Sequence, residues 1–234
     1  MRRVPIQKPL ALLLLLASIA GCAALPQPEV HAPLLDVPPG YEVPPGAGTL
    51  YRIDRADLTL HTYRAGWLSG LAHNHVMETD TVRGDIRLSE PLSASAARLY
   101  FRPWDLVLDD PDARAAAGPG FESERTAADI AATRTRMLGP RGFDSNDHPF
   151  VVADVRWADE TALALTLHFR DRQVEVRAPA QWQISAQRID ASAGFDIDHT
   201  ELGIRPYSAF AGAIAVAEPI RVRIVLSALR VSPL

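Results

Sequence analysis

The chain is short of cysteine, lysine and aromatic residues, and each shortage narrows what it can be. Cys22 is the only cysteine among 234 residues, so no disulfide within the chain and no thiolate metal cluster can be built. Lys8 is the only lysine, and every other permanent side-chain cation is arginine. Acids outnumber bases, with a net charge of −4. No basic face of the kind that nucleic acid requires is in prospect. Aromatic residues make up 7% of the chain, so a core must be filled mainly by aliphatic side chains. Long apolar runs are also missing. The one candidate, Leu10 to Ile19, is too short to cross a bilayer, which takes about 20 apolar residues.

That run has a different meaning. Arg2, Arg3 and Lys8 precede it, and Ile19-Ala20-Gly21-Cys22 follows. A basic start, a short apolar stretch and small residues before a cut site describe a secretory signal over residues 1–21. A cysteine directly after Ala-Gly resembles the bacterial lipobox, which implies that Cys22 is acylated and becomes the lipidated first residue of the mature chain. Removing the leader takes three cations and no acid, so the net charge moves from −4 to −7. Ala23, with no aspartate after the cysteine, directs the expectation to the outer membrane of a two-membrane bacterium, facing the periplasm. Residues 22–48 hold Pro26, Pro28, Pro33, Pro38, Pro39, Pro44 and Pro45, and read as an extended tether. A folded domain is expected over residues 49–234, long enough for one hydrophobic core.

Within that domain the pattern is period 2. Strands are expected at Leu50 to Ile53, Leu58 to Tyr63, Val76 to Leu88, Ala97 to Phe101, Phe150 to Trp157, Ala162 to Phe169, Gln173 to Arg177, Ala180 to Ile184, Ala193 to His199 and Ile220 to Leu229. Many strands of similar length joined by turn residues predict an all-β, antiparallel up-and-down barrel of about eight strands. One helical excursion interrupts it. Thr126 and Asp129 form a capping box, apolar residues recur at helical spacing to Leu138, and Gly139-Pro140 stops the helix. Asp109 to Gly120 reads as a loop, and Asp144 to Asp147 as a turn.

Four stretches together resemble the YceI-like family of bacterial lipid- and polyisoprenoid-binding proteins. They are Tyr51-Arg-Ile-Asp54, Val82-Arg-Gly84-Asp-Ile86, Met137 to Phe150 with His148-Pro149-Phe150, and Thr200 to Tyr207 with Gly203-Ile204. The chain departs from the family pattern at Asp57 and Leu58, which stand where a histidine and a serine are usual, and at Glu218, which replaces an aspartate. The resemblance implies a lipocalin-like barrel that binds, without catalysis or cofactor, a long apolar ligand such as an isoprenoid, quinone or fatty-acid-type lipid. The physics agrees, because an eight-stranded barrel has room inside for side chains or one slender ligand. Small residues such as Ala162, Ala164, Ala178, Ala180, Ala191, Ala193, Ala209, Ala211, Ala213 and Ala215 would leave that room if they face inward; the other reading is that they fill a tight core.

Candidate contacts are few. His73 and His75 would share a face if they lie on a strand. They fit a structural pair, a contact to a ligand headgroup, or half of a metal site in a metal-dependent enzyme or redox-associated protein. Tyr207 and Phe210 lie in the loop after the glycine-isoleucine signature, which the resemblance places near the tunnel, and Trp67 is a further rim candidate. No acid pair or nucleophile elbow advertises hydrolysis: Pro206-Tyr207-Ser208-Ala209-Phe210 lacks the glycines. Membrane attachment through the acylated Cys22 and a long-chain lipid ligand are the expected partners. A structural lipoprotein with a filled barrel is the remaining reading.

Overall fold

A computed structural model describes residues 35–232. The proposed signal at residues 1–21, Cys22 and the tether up to residue 34 lie outside the described residues. The strands are β1 (Thr49–Ala65), β2 (His75–Thr79), β3 (Arg83–Leu88), β4 (Ala96–Phe101), β5 (Val107–Leu108), β6 (Val151–Trp157), β7 (Ala162–Phe169), β8 (Arg172–Ile184), β9 (Arg188–Asp198), β10 (Ser208–Ala209) and β11 (Ile214–Arg230). Two helices, α1 (Pro111–Ala117) and α2 (Ala127–Leu138), lie between β5 and β6.

The barrel closes in strict sequence order. β1 pairs with β3 and with β11, and β3, β4, β6, β7, β8, β9 and β11 follow one another antiparallel around the wall. Eight strands therefore form a closed up-and-down cylinder, with β2, β5 and β10 as additions. β2 and β3 lie on the same side of β1, at its two ends, and read as one wall strand broken at residues 80–82. β4 and β5 are broken in the same way at residues 102–106. The two breaks are stitched together where the Thr81 hydroxyl donates to Asp105, 3.1 Å away, and Arg102 donates to the same carboxylate.

Alternation sorts the side chains. Tyr51, Ile53, Ala56, Leu58 and Leu60 of β1 face inward and are buried. A bulge between Ile53 and Arg55 keeps both halves of this long strand in phase, so the two short strands expected there are one. The outer wall carries the charges. Arg52 donates to Asp85, and Arg98 grips Asp154 with two bonds of 2.6 and 2.9 Å. His168 lies 2.8 Å from the same Asp154 carboxylate. The Arg98 bonds, ahead of burial in the opposite direction, hold Asp154 below the ordinary carboxylate range.

Gly84, with φ 148°, sits where β3 presses on β4; a Cβ there would run into the Arg98 carbonyl. Gly66, with φ 90°, turns the chain out of β1 against the backbone of Gly212 and Ala213.

The helical excursion holds more than the sequence reading gave it. α2 spans the expected residues with its Thr126–Asp129 capping box intact. The expected loop at residues 109–120 contains α1, capped by Asp110, whose side chain accepts from the Asp112 and Ala113 N–H groups, with Pro111 at its first position. One end of the barrel is closed by Ile130 and Met137 of α2, by Phe143 against Phe169 at 5.6 Å, and by Leu202 and Ile204 from the turn after β9.

Residues 35–48 do not stand free of the wall. Asp36 pairs with Arg102, Pro38 and Pro44 are buried, and the Pro44 carbonyl accepts from Arg87. The Tyr41 ring packs edge-on against Tyr100, and its hydroxyl donates to Asp85 at 2.8 Å. Burial and the Asp85 carboxylate push the Tyr41 hydroxyl well above the ordinary tyrosine range. Composition alone suggests a stiff leader here, but Tyr41 and Asp36 find specific partners on the outer surface and strap the segment down.

Candidate functional site

The lumen is lined by apolar side chains, some fully buried and some partly exposed. Ile53, Ala56, Leu58 and Leu60 of β1 and Ile86 of β3 are buried against one another. Across the barrel, Leu163 and Leu167 of β7, Val174 and Val176 of β8, Ala191, Ala193 and Phe195 of β9, and Val222 and Ile224 of β11 also face inward but are only half-buried. On the same strands Leu165, Ala178, Ile189, Ile197 and Ile220 are buried, and the partly exposed groups pack against this cluster. Of the ten alanines expected to make room, Ala178, Ala180, Ala191 and Ala193 face the lumen. Ala162 and Ala164 alternate with lumen-facing Leu163 and point outward, and Ala209, Ala211, Ala213 and Ala215 belong to β10, the turn after it and the start of β11.

At one end Trp157 and Trp182 meet edge to face, 6.0 Å apart. The Trp157 indole nitrogen is buried with no hydrogen-bond partner among the described residues. The Tyr51 hydroxyl, donating to the Ser185 carbonyl at 3.1 Å, ties the β8–β9 hairpin across that end.

The wall itself is split. β8 pairs with β7 from Arg172 to Pro179, and β9 pairs with β11 from Arg188 to Asp198, but β8 and β9 pair with each other only from Ala180–Ala193 to Ile184–Ile189. The next step of that ladder would set Pro179 against Gly194. The Ala180 N–H donates to Thr161, toward β7, so the N–H at position 179 would have pointed toward β9, and proline has none. The ladder stops there, and the strands part. A groove of about 1080 Å³ occupies the split. Its lining includes outward-facing Arg177, Asp196, Arg221 and Arg223 together with lumen-facing Trp182, Ala193, Phe195 and Val222. The groove therefore lies where residues of both faces of the wall come together. Its volume lies just above the range of typical small-molecule sites, about 300–1,000 Å³.

The residues singled out from sequence gather elsewhere, around the end of the barrel opposite the tryptophan pair. Trp67 and Phe210 are 81% and 79% exposed, on neighbouring loops held together where the Leu68 N–H donates to Ala213. Tyr207 is also exposed. His73 precedes β2 and His75 opens it, so the two do not share a strand face. The His75 Nδ1 lies 2.6 Å from Asp109, whose other oxygen accepts from the Val76 N–H at 3.1 Å and from Arg114 at 2.6 Å. Burial drives the Asp109 carboxyl upward, but these three bonds outweigh it and leave its pKa below the ordinary value. Burial, then the nearby Arg125, lowers the pKa of His73. Among the described residues no group of three His, Cys, Asp or Glu could hold a metal ion. His75 thus has a structural partner.

Sequence reasoning missed the split and the residues around it. The signals were present: a proline inside an alternating run, a glycine two residues after Ser192, and arginines at alternate positions of β11. Nothing in the local pattern, however, says that Pro179 faces Gly194.

No family profile matches the chain, and no curated protein does. Solved structures do. The BcnA protein of Burkholderia cenocepacia superposes with a TM-score of 0.49 at 7% identity, over 74% of this chain and 95% of that one. The YceI protein of Campylobacter jejuni does so with a TM-score of 0.46 at 9% identity, over 64% and 82%. A mutant of that YceI protein gives the same TM-score at 10% identity. The chain is similar to these proteins in fold.

Proposed function

We propose that this barrel holds a slender, long-chain apolar molecule in its lumen and carries or sequesters it without chemical change. The observation that supports this reading is the set of partly exposed apolar side chains on β7, β8, β9 and β11 beside the groove where β8 and β9 part. Burial of hydrocarbon is worth about 25 cal/mol per Å², so a chain of a dozen or more carbons binds such a surface without specific bonds. We further propose that acylation at Cys22 anchors the protein in a bacterial envelope, at the outer membrane facing the periplasm. That part rests on the leader sequence.

The test is organic extraction of protein purified from its native membrane, followed by mass spectrometry. One long-chain species near unit stoichiometry is the expected result. An empty extract, with no uptake of an added fluorescent lipid, would mean a barrel that serves only as structure. Cys22→Ser tests the anchor: the variant should leave the detergent phase for the aqueous phase.

A further inference from the structure

The groove where β8 and β9 part is not neutral at its lips. Arg177, Arg221 and Arg223 surround it, against Asp196 and Glu160. Arg177 is committed to Asp159, and Arg221 donates to Asp196 at 3.0 and 3.3 Å. Arg223 is exposed and has no hydrogen-bond or ion-pair partner among the described residues. It lies beside Gly194, its cross-strand neighbour, at the point where β8 and β9 part. Gly194 puts no side chain over the opening, and Ala193 and Phe195 on either side of it turn into the lumen. A free guanidinium therefore stands on the lowest part of the lip, one residue from an apolar interior.

Resting on the lumen reading above, we infer that the split between β8 and β9 is a lateral portal for an amphiphile with an anionic head. The chain passes over Gly194 into the lumen, and the carboxylate or phosphate stays outside on Arg223, with Arg221 beside it. Arginine suits both heads, because its planar fork donates two parallel bonds to either. A neutral alcohol of the same length gains the burial but not the ion pair.

The probes are dodecanoate, dodecyl phosphate and dodecanol, titrated by fluorescence of Trp157 and Trp182. The anions should bind about tenfold more tightly than the alcohol, roughly 1.4 kcal/mol. The preference should shrink in 0.5 M salt. Comparing the two anions separates a fatty acid from a phosphorylated lipid as the natural source. Arg223→Gln should abolish the preference and leave dodecanol binding within twofold. Arg223 is exposed and makes no contact needed for folding, so this variant should keep its circular dichroism spectrum. Gly194→Leu, at a position with room for a side chain, should slow uptake of all three. If dodecanol binds and the anions bind no better, or if Arg223→Gln changes nothing, the headgroup inference falls and the lumen reading stands. If no probe enters at all, both fall.

Discussion

Replacing Ala193 with leucine decides whether the lumen is open. Ala193 faces inward on β9 between Ala180 of β8 and Ile224 of β11, and all three are half-buried. Leucine adds three carbons. At about 0.8 kcal/mol per buried CH₂ the full gain is roughly 2.4 kcal/mol. The site is partly open to water, which reduces that to about 1 kcal/mol or somewhat more. If the interior were filled, the same carbons would overpack it and cost about 1–3 kcal/mol. The two cases differ in sign. With an m-value of about 2 kcal/mol per molar urea, the open lumen predicts a midpoint about 0.5 M higher at unchanged m. The added carbons also occupy the space a ligand chain needs, so uptake of a fluorescent lipid probe should weaken. A midpoint that falls by 0.5 M or more, with probe uptake unchanged, would refute the open-lumen argument.

Other expectations follow from the same contacts. Asp109→Ala leaves Arg114, whose side chain is 7% exposed, as an uncompensated buried charge, so urea unfolding should show a loss of about 3–5 kcal/mol. Pairing Asp109→Leu with Arg114→Met should cost less than either change alone, which a double-mutant cycle can read. Because the folded Asp109 pKa is depressed, its contribution is present above the unfolded value of about 3.9 and is lost as pH falls through the lower folded value; the acid arm of the wild-type stability profile below about pH 4 should flatten in Asp109→Asn. Gly84→Ala should cost about 2 kcal/mol or more in thermal unfolding, since the Arg98 carbonyl occupies the place of the new methyl and the φ of 148° resists a side chain.

The barrel was legible in the sequence because its strands are amphipathic. β7 was bounded residue for residue by Ala162 and Phe169, and α2 by its capping box and the Gly139-Pro140 stop. Merged strands were read as pieces. Ala178 and Pro179 separate the two runs read in β8, yet the alternation continues through them and Pro179 sits on the unpaired side of the strand. α1 was hidden by Pro111 and Gly118, which read as loop residues but act as first position and stop. The candidate site was less legible than the fold. His73 and His75 looked like a pair because their spacing fits a strand, but β2 starts only at His75, and Asp109, 34 residues later, claims its ring. The portal depends on two strands ceasing to pair, a long-range event that single-segment patterns do not carry.

The strapped segment at residues 35–48 sets how far the barrel can stray from whatever holds the chain upstream. With Asp36 and Tyr41 fastened to the outer surface, slack is counted from Leu35 and not from Thr49. If Cys22 is the point of attachment, the leash spans at most about 45 Å fully drawn out, roughly half of what the proline-rich stretch would otherwise allow. The cylinder is then moored close alongside and by its flank near β3 and β4, which limits the ways it can roll and hence which openings it can turn toward the bilayer.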